Sequence, residues 1–588
     1  MIHSKLRGIK KLSISLDKVW MKYYAPNVRE LPLPSCTILD YVKQNNKNNL
    51  NQTAIDYYGK KISYKKLFAS VDKIANCLVG LGVKNGDIVS LVSVAIPETI
   101  ALIYAINKIG AAANTIDPRM DPQSIRRMII ESGSKITFAV TLVHSKIKAV
   151  QKDINQDKII YQNPFRSLPL IKKIYKNLTM KYSIEYNDKV ISWNKSLTLG
   201  KGIVAPTAPY EEDKLVAITY TGGTTGTPKG VMLTNKSVNA AAFNFIHAGI
   251  VYSPGEKFLG IIPVFSSYGF VCGMHMPFCM QQKLLPIPYF VPATIGKLIK
   301  DFKPNHMIST PAFYEILINS PEVKDMDLSF LITMGSGGDT MNEGLEEKLS
   351  EFMQEHNIKY PLAQGYGMSE LSAAASFCVN DRYKKGSVGI PSVTTTISIF
   401  DPEDQNKELD YNQIGEICVR GPSKMLGYFK SKVETDLILK KHQADGHTWI
   451  HSGDLGYMDT DGFLYIVGRV KRMITRFDGH KVFPINIENL VSQRKDVRNC
   501  CVVEVKDQER TQGHYPLVVV ELQEDVLDKD SVCKEIYKTC LKELEERGIP
   551  VAVVWIDNIP LTGALKNDYR TLGEQFKDYD YLSWQKSV

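Results

Sequence analysis

The sequence lacks the cysteine spacing of zinc and dithiol redox sites, since no C-x-x-C pair occurs among its ten cysteines. These cysteines fall in apolar or helical patterns, which is typical of free thiols in a reducing compartment. The sequence therefore gives no support to a zinc site, and we expect a cytoplasmic protein.

Long uninterrupted apolar runs are also missing. The most apolar stretch, 91–116, is broken by a proline and by polar or charged residues at 97, 98, 107 and 108. A bilayer span needs ~20 mostly apolar residues, so this stretch favours buried core instead. The basic segment 1–12 is not followed by an apolar h-region, so we expect no targeting segment.

The excess of positive charge is small. Lysine plus arginine number 72 and aspartate plus glutamate number 63, which gives a net charge of +9 over 588 residues. This excess is too weak to predict nucleic-acid binding by itself, but it suits an anionic small molecule, an acidic partner or a membrane surface. Because single hydrophobic cores stop growing near ~250–300 residues, the length predicts two or more domains.

Strand and helix patterns alternate from residue 53 onward. Leucine, valine and isoleucine recur at steps of four and three between residues 67 and 81, which is the spacing of one buried helix face. Short apolar strand patterns flank this helix, an alternation typical of a parallel, doubly wound sheet. Short strands with glycine turns over 394–468 predict a small β subdomain. A compact α+β unit follows residue 471, with Gly548 predicted to cap its helix.

Residues 150–205 interrupt this alternation. Lysine and arginine are interleaved here with tyrosine and phenylalanine, a composition found on nucleic-acid-binding and lipid-binding surfaces. A solvated surface excursion explains the same composition, and this is our first interpretation.

The strongest chemical signal is the segment Y-T-G-G-T-T-G-T-P-K-G at 220–230. Glycines let backbone N–H groups approach phosphate oxygens, while threonine hydroxyls and a lysine add donors and charge. The segment is not a Walker A loop, because Pro228 precedes the lysine and a strand pattern follows Gly230. It predicts a strand-to-strand phosphate loop that binds through Thr221, Gly222, Gly223, Thr224, Thr225 and Lys229.

A second segment, Q-G-Y-G-M-S-E at 364–370, combines a flat ring with a carboxylate. Tyr366 offers a face for a purine, and the glycines on either side keep the backbone thin. Glu370 offers the hard oxygen that Mg²⁺ prefers.

Four shorter segments complete the pattern. Residues 335–339, G-S-G-G-D, form a glycine-rich turn, and 449–456, W-I-H-S-G-D-L-G, place Asp454 on a tight turn. A carboxylate in such a turn can accept both hydroxyls of a ribose. Residues 468–474, G-R-V-K-R-M-I, are a basic run, and 560–566, P-L-T-G-A-L-K, end in a lysine.

In this order the segments resemble the AMP-forming acyl-adenylating superfamily, and the chain is most like its medium- and long-chain fatty acyl-CoA synthetases. The resemblance covers about residues 38–572. It implies a large N-terminal domain of doubly wound α/β subdomains plus a small β subdomain, and a smaller α+β C-terminal lid. The expected units are an N-terminal arm at 1–50, a body at 51–393, a β subdomain at 394–470 and a lid at 471–588 that hinges at Lys471.

The resemblance also implies roles for single residues in nucleotide binding. Tyr366 would stack on adenine and Ser369 would lie near the α-phosphate. Asp454 and Arg469 would bind the ribose side. Magnesium would be held by Glu370 and Thr225. The remaining nucleotide contacts implied are Gly337, Gln364, Gly365 and Gly367.

For the acid substrate, the resemblance implies a pocket lined by Tyr268, Gly269 and Gly335. His480 lies on the lid segment that, in the family, faces the site during thiol transfer. Many relatives have histidine where this chain has Ser266, at the gate of the acyl tunnel, so substrate entry is expected to differ.

The resemblance gives catalytic roles to Lys566, Glu370 and Thr225. Lys566 would hold the substrate carboxylate against the α-phosphate, although Leu565 stands where relatives usually have glycine.

The implied activity is that of an AMP-forming acyl-CoA synthetase that uses ATP, Mg²⁺ and CoA. A fatty acid is adenylated and then transferred to the CoA thiol, with release of AMP and pyrophosphate. Two alternatives stay open: an acyl-AMP ligase that loads a separate carrier protein, and a non-catalytic acyl- or nucleotide-binding relative. The expected partners are small molecules and not nucleic acid, while peripheral membrane contact and oligomeric state stay open.

Overall fold

The computed structural model describes residues 13–180, 183–221, 228–510, 512–561 and 567–587 of the chain. Within these ranges the strands form two large mixed sheets, one smaller antiparallel sheet and two small sheets near the C-terminus. None of the helices in these ranges has the length and apolar character needed to cross a membrane.

The strands of the described residues are, in chain order, β1 Thr53–Tyr57, β2 Lys60–Ser63, β3 Ile88–Val92, β4 Ala112–Ile116, β5 Ile136–Val140, β6 Lys158–Gln162, β7 Val190–Ser192, β8 Leu215–Tyr220, β9 Gly230–Thr234, β10 Lys257–Gly260, β11 Lys283–Pro286, β12 His306–Ser309, β13 Thr333–Ser336, β14 Ala363–Tyr366, β15 Ser376–Phe377, β16 Ile390–Pro391, β17 Thr396–Phe400, β18 Gly415–Arg420, β19 Gly427–Tyr428, β20 Leu439–Lys441, β21 Thr448–Met458, β22 Leu464–Arg469, β23 Ile474–Thr475, β24 Lys481–Val482, β25 Val497–Lys506, β26 His514–Leu522 and β27 Ala552–Trp555.

The α-helices of the same residues are α1 Ile14–Asp17, α2 Pro26–Arg29, α3 Ile38–Asn45, α4 Tyr64–Gly80, α5 Pro97–Lys108, α6 Pro122–Ser132, α7 His144–Val150, α8 Leu170–Thr179, α9 Trp193–Thr198, α10 Asn235–Ile246, α11 Ser267–Phe270, α12 Met276–Cys279, α13 Ile295–Phe302, α14 Pro311–Ile318, α15 Glu343–Glu355, α16 Lys432–Ile438, α17 Pro484–Ser492, α18 Lys529–Glu543, α19 Tyr569–Phe576 and α20 Tyr581–Gln585. Shorter 3₁₀ turns lie at Val19–Tyr23, Thr141–Val143, Pro292–Thr294, Ser369–Leu371, Val470–Arg472 and Glu546–Gly548, and a π turn lies at Val271–His275.

Two large sheets build the N-terminal part of the described chain. In the nine-stranded sheet, the neighbours β14, β13, β12, β10, β11 and β1 run parallel. In the eight-stranded sheet, β8, β4, β3, β5, β6 and β7 run parallel, and β9 and β19 add antiparallel strands at one edge. Helices α3, α5, α10 and α12 contact one another in the core shared by strands of both sheets. The predicted doubly wound α/β body is confirmed.

The interval 150–205 does not interrupt the sheet, so the predicted break in the α/β alternation is wrong. β6 pairs with β5 and β7 pairs with β6, both in parallel, and Trp193 at the start of α9 is buried. Both strands are short, since β6 has five residues and β7 has three. Basic or polar residues bound them and hid their pattern in the sequence. Between the two strands, α8 and residues 183–189 lie at the surface, so the predicted surface excursion is limited to this part of the interval.

The β subdomain is an antiparallel sheet in the order β17, β18, β21, β20, with β22 on β21. Residues 13–24 of the N-terminal arm lie against it. The Trp20 side chain is fully buried in its core, and the Ser13 hydroxyl and the Ser15 backbone N–H each donate to Glu408 at 2.7 Å. The N-terminal arm therefore contributes to the core of this subdomain.

A smaller α+β unit follows β22. Its three-stranded sheet has β25 antiparallel to β26 and β26 parallel to β27. The predicted cap at Gly548 is wrong: α18 ends at Glu543 with Leu544 as its C-cap, and Gly548 closes a separate 3₁₀ turn. The Lys481 ammonium pairs with Glu403 at 2.8 Å, which ties this unit to the β subdomain.

The smaller C-terminal unit agrees with the predicted α+β lid, so the predicted fold class is confirmed as a whole. The exact domain limits at residues 50, 393 and 470 stay predictions, as does the hinge at Lys471. That residue lies in the 3₁₀ turn Val470–Arg472, directly after β22.

Candidate active site

Several predicted nucleotide residues, and the predicted acyl residue Gly335, lie in or directly after two neighbouring parallel strands. Gly335 lies in β13 and Gly337 just after it, while Gln364, Gly365 and Tyr366 lie in β14. Ligands of open α/β sheets bind at this edge, because successive strand ends and the loops after them converge there.

The base of the predicted phosphate loop is a hairpin between β8 and β9. Tyr220 pairs with Gly230, the Thr221 N–H donates to the Lys229 carbonyl at 3.0 Å, and the Lys229 N–H donates to the Thr221 hydroxyl at 3.2 Å. The expected strand-to-strand form of the loop is thus confirmed. Four of its predicted binding residues, Gly222, Gly223, Thr224 and Thr225, lie outside the described residues, as does Lys566.

Asp454 is the centre of a buried polar cluster. One carboxylate oxygen accepts the Tyr366 hydroxyl at 2.8 Å and the other lies 2.9 Å from Arg469 Nε. Antiparallel pairing of β21 and β22 places Asp454 directly opposite Arg469. Burial, followed by the Asp454 charge, raises the pKa of Tyr366 well above its usual value, so Tyr366 is a neutral donor. A carboxylate is an acceptor of the kind that ribose hydroxyls need.

The predicted tight turn at Asp454 is wrong, because residues 452–454 lie within β21, at an irregularity where the pairing of β18 with β21 shifts register. A chain of titratable side chains supports this irregularity. Glu416 accepts the Gly453 N–H at 3.0 Å on one oxygen and lies 2.7 Å from His451 Nδ1 on the other. His451 Nε2 is in turn 2.8 Å from His442 Nε2. Gly453 has φ of +71°, a conformation that favours glycine, so the irregularity depends on that residue and on these contacts.

Part of this group of side chains has the composition of a metal site, but its hydrogen bonds indicate another role. Glu416, Cys418 and His451 place ligand-type atoms within 4.8 Å of one another. Both oxygens of the glutamate, however, are engaged in direct hydrogen bonds. Burial acts to raise the pKa of Glu416, but His451 and the Gly453 N–H outweigh it and leave the pKa lowered. We therefore interpret the three residues as support for the irregularity of β21 at Gly453.

A second cluster joins the predicted phosphate and metal residues through one aromatic ring. The Tyr428 hydroxyl donates to Glu370 at 2.6 Å, and the Lys229 ammonium lies 5.2 Å from the centre of the Tyr428 ring. The same ammonium forms an ion pair with Glu434. A cation, a ring and two carboxylates thus occupy one small region beside the loop base.

Glu370 sits in the 3₁₀ turn Ser369–Leu371, directly after β14, and is only 6% exposed. Burial raises the pKa of Glu370, and the hydrogen bond from Tyr428 partly offsets the rise. A buried carboxylate without a cation is costly, so the site is suited to a metal ion that restores the charge balance.

A slot kept open by glycine lies between the predicted adenine and acyl regions. A Cβ on Gly337 would lie 3.3 Å from both the Gly365 carbonyl oxygen and the Tyr268 hydroxyl. A Cβ on Gly367 would overlap the Ala373 carbonyl. The buried amide nitrogen of Gln364 has no hydrogen-bond partner among the described residues, so a donor remains available for a ligand such as a purine.

The predicted acyl residues lie at the start of an irregular helix. Ser266 caps α11 through its hydroxyl, which accepts the Gly269 N–H at 3.1 Å, and a Cβ on Gly269 would overlap the Pro263 carbonyl. Tyr268 packs its ring against Gly338, which has φ of +84°. The π turn after α11 buries His275, and this burial lowers its pKa to about 3. The hydrogen bond from the Gly269 N–H thus makes Ser266 the N-terminal cap of α11.

The predicted lid residue His480 contacts other residues of the lid. The Nε2 atom of its ring lies 3.3 Å from a carboxylate oxygen of Glu545, and its backbone N–H donates to the Asp478 carboxylate at 3.0 Å. Next to the predicted hinge, Arg472 bonds to Glu488 at 2.7 Å and stacks 3.5 Å from the centre of the Tyr569 ring. The chain therefore becomes firmly attached to the lid one residue after Lys471.

Sequence analysis gave no role to five residues that complete these clusters. These residues are Glu416, Tyr428, Glu434, His442 and His451, of which His451 appeared only as part of the segment around Asp454. The usable signal was charge balance: Lys229 has no acidic residue near it in the sequence, so its carboxylate partner had to come from elsewhere in the chain.

Comparison with known families agrees with this geometry. The AMP-binding enzyme model matches residues 42–429, and the AMP-binding enzyme C-terminal domain model matches residues 486–566. The chain belongs to the AMP-binding enzyme family. The resemblance to the acyl-adenylating superfamily inferred from the motifs is thereby confirmed.

Two curated relatives illustrate the range of similar proteins. The long-chain-fatty-acid–CoA ligase of Bacillus subtilis (strain 168) is 28% identical over 519 residues, covering 86% of this chain and 89% of the relative. The 4-coumarate–CoA ligase CCL1 of Humulus lupulus is 27% identical over 474 residues, covering 79% and 80%.

Solved structures share the fold. The anthranilate CoA ligase AuaEII in complex with anthranoyl-AMP has a TM-score of 0.80 at 18% identity, covering 94% of this chain and 99% of that one. ATP-bound MatB from Rhodopseudomonas palustris has a TM-score of 0.77 at 22% identity, covering 92% and 99%. At these identities the likeness concerns the fold.

The ion pair between Lys229 and Glu434 predicts competition with bound phosphates. Glu434→Gln removes the competing charge, so we expect the dissociation constant for a non-hydrolysable ATP analogue to fall roughly two- to fivefold, as suits a half-exposed pair. Isothermal titration calorimetry measures the change. Glu212→Gln, which breaks the exposed pair with Lys236, is the matched control. Unchanged or weaker binding by Glu434→Gln contradicts the competition.

Proposed function

We propose that this protein is an AMP-forming acid–thiol ligase that activates a medium- or long-chain fatty acid and transfers it to CoA. The observation that carries the proposal is the convergence on Tyr428 of the loop lysine, Lys229, and the buried carboxylate, Glu370. The ribose-type acceptor Asp454 lies close enough to act on the Glu370 charge. Groups suited to the phosphates, the metal and the sugar of one nucleotide therefore lie together.

The residues fit the cofactors that this reaction requires. Glu370, with Thr225 from the loop, would hold Mg²⁺, which supplies positive charge to the phosphates. Asp454 and Arg469 would bind the ribose, and the unpartnered amide of Gln364 would face the base.

The first step needs positioning more than covalent chemistry. A carboxylate is a poor electrophile, and attack of its oxygen on the α-phosphorus of ATP forms a mixed anhydride as pyrophosphate leaves. Lys229 draws charge from the departing phosphates, while Lys566 offsets the repulsion between the carboxylate and the α-phosphate. Ser369, in the turn after β14, would lie beside the α-phosphate.

The second step transfers the acyl group to a thiol, with AMP as the leaving group. We propose that the lid turns about Lys471 between the two steps, which withdraws Lys566 and presents the segment that contains His480. Two observations support a pivot here: Arg469 belongs to the Asp454 cluster and Arg472 is attached to Glu488 of the lid. The intervening 3₁₀ turn is therefore the short linkage between two anchored positions.

A fatty acid is favoured over an aryl acid by the long-chain-fatty-acid–CoA ligase relatives. The apolar sequence that follows Tyr268 agrees with this choice, since Phe270, Val271 and Met274 are fully buried. The aryl alternative rests on the 4-coumarate–CoA ligase relatives.

A substrate panel tests this function directly. We expect pyrophosphate release that requires ATP, Mg²⁺ and a straight-chain fatty acid, followed by thioester formation when CoA is added. Pyrophosphate release only with 4-coumarate, anthranilate or benzoate would reject the fatty-acid assignment and keep the ligase. Adenylate without a CoA thioester would favour carrier loading, and no release with any acid would reject the ligase.

Lys566→Ala should separate the two steps. We expect adenylation to fall by roughly a hundredfold or more, because the lysine offsets charge only in that step. Thioester formation from supplied acyl-adenylate should stay within about twofold, measured by single-turnover kinetics. Lys577→Ala, which removes an exposed lysine of the same unit, is the control. Equal loss of both steps in Lys566→Ala contradicts the proposed withdrawal of this lysine.

The raised pKa of Glu370 predicts an acid limb in the magnesium dependence. As pH falls through this pKa the carboxylate is protonated and loses its affinity for the metal. Tyr428→Phe removes the hydrogen bond that favours the ionised form of Glu370, so the pKa of Glu370 rises further. The loss of magnesium affinity then begins at higher pH.

The half-saturating Mg²⁺ concentration for pyrophosphate release, measured across pH, records this shift. Tyr383→Phe is the matched control, because the Tyr383 hydroxyl donates to Glu346 at the same 2.6 Å distance elsewhere in the chain. An unshifted magnesium profile in Tyr428→Phe would remove Glu370 from the metal site.

A further inference from the structure

Helix α8, Leu170–Thr179, exposes its large apolar side chains. Leu170, Ile171, Ile174 and Tyr175 have 71%, 84%, 52% and 63% of their surface accessible. Spacing of one, three and four residues places these side chains on a single stripe of the helix. An exposed contiguous apolar stripe is uncommon on a monomeric protein and indicates a surface that another apolar phase covers.

The orientation of α8 is the reverse of that of an ordinary surface helix. The Lys172 ammonium lies 3.4 Å from the Tyr58 carbonyl oxygen and 5.8 Å from the centre of the Tyr58 ring. The Lys176 ammonium lies 5.9 Å from the centre of the Phe165 ring. Lysine side chains thus attach the helix to the body, whereas globular proteins normally bury the apolar face. The apolar stripe cannot turn inward without breaking these contacts.

The segment around α8 carries charge of one sign only. No aspartate or glutamate occurs between Asp157 and Glu185, and this interval contains six basic residues: Lys158, Arg166, Lys172, Lys173, Lys176 and Lys181. An apolar stripe within a wholly basic segment matches an anionic lipid surface, where the stripe enters the acyl boundary and the positive charge of the segment attracts the phosphates.

We propose that α8 is an interfacial helix that docks this protein on anionic membranes. A second copy of the chain is a poorer occupant, because it would place another wholly basic segment against the first. The inference does not depend on the ligase chemistry, since α8 contains none of the proposed catalytic residues and vesicle binding needs no substrate.

Vesicle co-sedimentation of the full chain tests the docking. We expect binding to vesicles of phosphatidylcholine with phosphatidylglycerol, weaker binding to pure phosphatidylcholine, and a decrease at high salt. The double variant Ile171→Ser/Ile174→Ser should bind on the order of a hundredfold more weakly, roughly tenfold for each isoleucine. The control Leu16→Ser/Leu527→Ser changes two leucines with 76% and 99% exposure and should bind like the wild type.

A site-specific probe shows which surface enters the lipid. All ten native cysteines are buried, so Ile174→Cys and Leu527→Cys each offer one reactive thiol for an environment-sensitive fluorophore. We expect a blue shift with anionic vesicles for the label at position 174 and none for the label at 527. Equal shifts at both positions would overturn the assignment of α8.

Three further results would contradict the proposal. The first is wild-type protein that does not bind anionic vesicles. The second is an isoleucine double variant that binds them as well as the wild type with an unchanged melting temperature. The third is a wild-type dimer in sedimentation velocity without lipid that the double variant converts to a monomer, because the stripe would then be a contact between copies.

Discussion

The hydrogen bond between Tyr428 and Glu370 is the contact on which the rest of the candidate site depends. It satisfies a buried carboxylate, and it fixes the ring over which the Lys229 ammonium lies. Tyr428 owes its position to β19, whose pairing with β9 holds it beside the base of the phosphate loop. The edge of the eight-stranded sheet and the turn after β14 of the nine-stranded sheet are thereby joined by one side chain. Among the interactions that favour the ionised form of this buried carboxyl, the hydrogen bond from Tyr428 is the largest.

Strand pairing also brings together the two residues that we propose bind the ribose. Asp454 and Arg469 are fifteen positions apart in the chain but directly opposed in the β21–β22 ladder, so backbone register alone brings the two charges together. The irregularity of β21 at Gly453, supported by Glu416, lies directly before this carboxylate. Because β22 continues into the 3₁₀ turn that contains Lys471, the proposed rotation of the lid would act on a strand that the contact between Asp454 and Arg469 holds in place.

Much of the fold was predictable because its signals are local. The α4 periodicity, the strand patterns of β17 and β18 and the glycine-rich loop are each read within a dozen residues. Long-range pairing was not predictable: Glu434 meets Lys229 across 205 positions, and β6 and β7 gain their stability from neighbours in the sheet that a short polar-flanked sequence does not reveal. The cap at Gly548 failed for a related reason, since α18 ends at Glu543, before the sequence reaches its glycine.

The composition of residues 150–205 has two separate physical origins. Its isoleucines and tyrosine at 159–161 are buried in β6, and Ile191 and Trp193 are buried where β7 meets α9, so these apolar residues belong to the core. The apolar residues of α8 are exposed, although the segments before and after this helix contain buried apolar residues. Lysine contacts to Tyr58 and Phe165 keep the stripe outward, and hydrophobic burial alone would oppose that arrangement in water. The outward orientation is therefore consistent with an α8 that contacts an apolar phase, and not only water, when the protein functions.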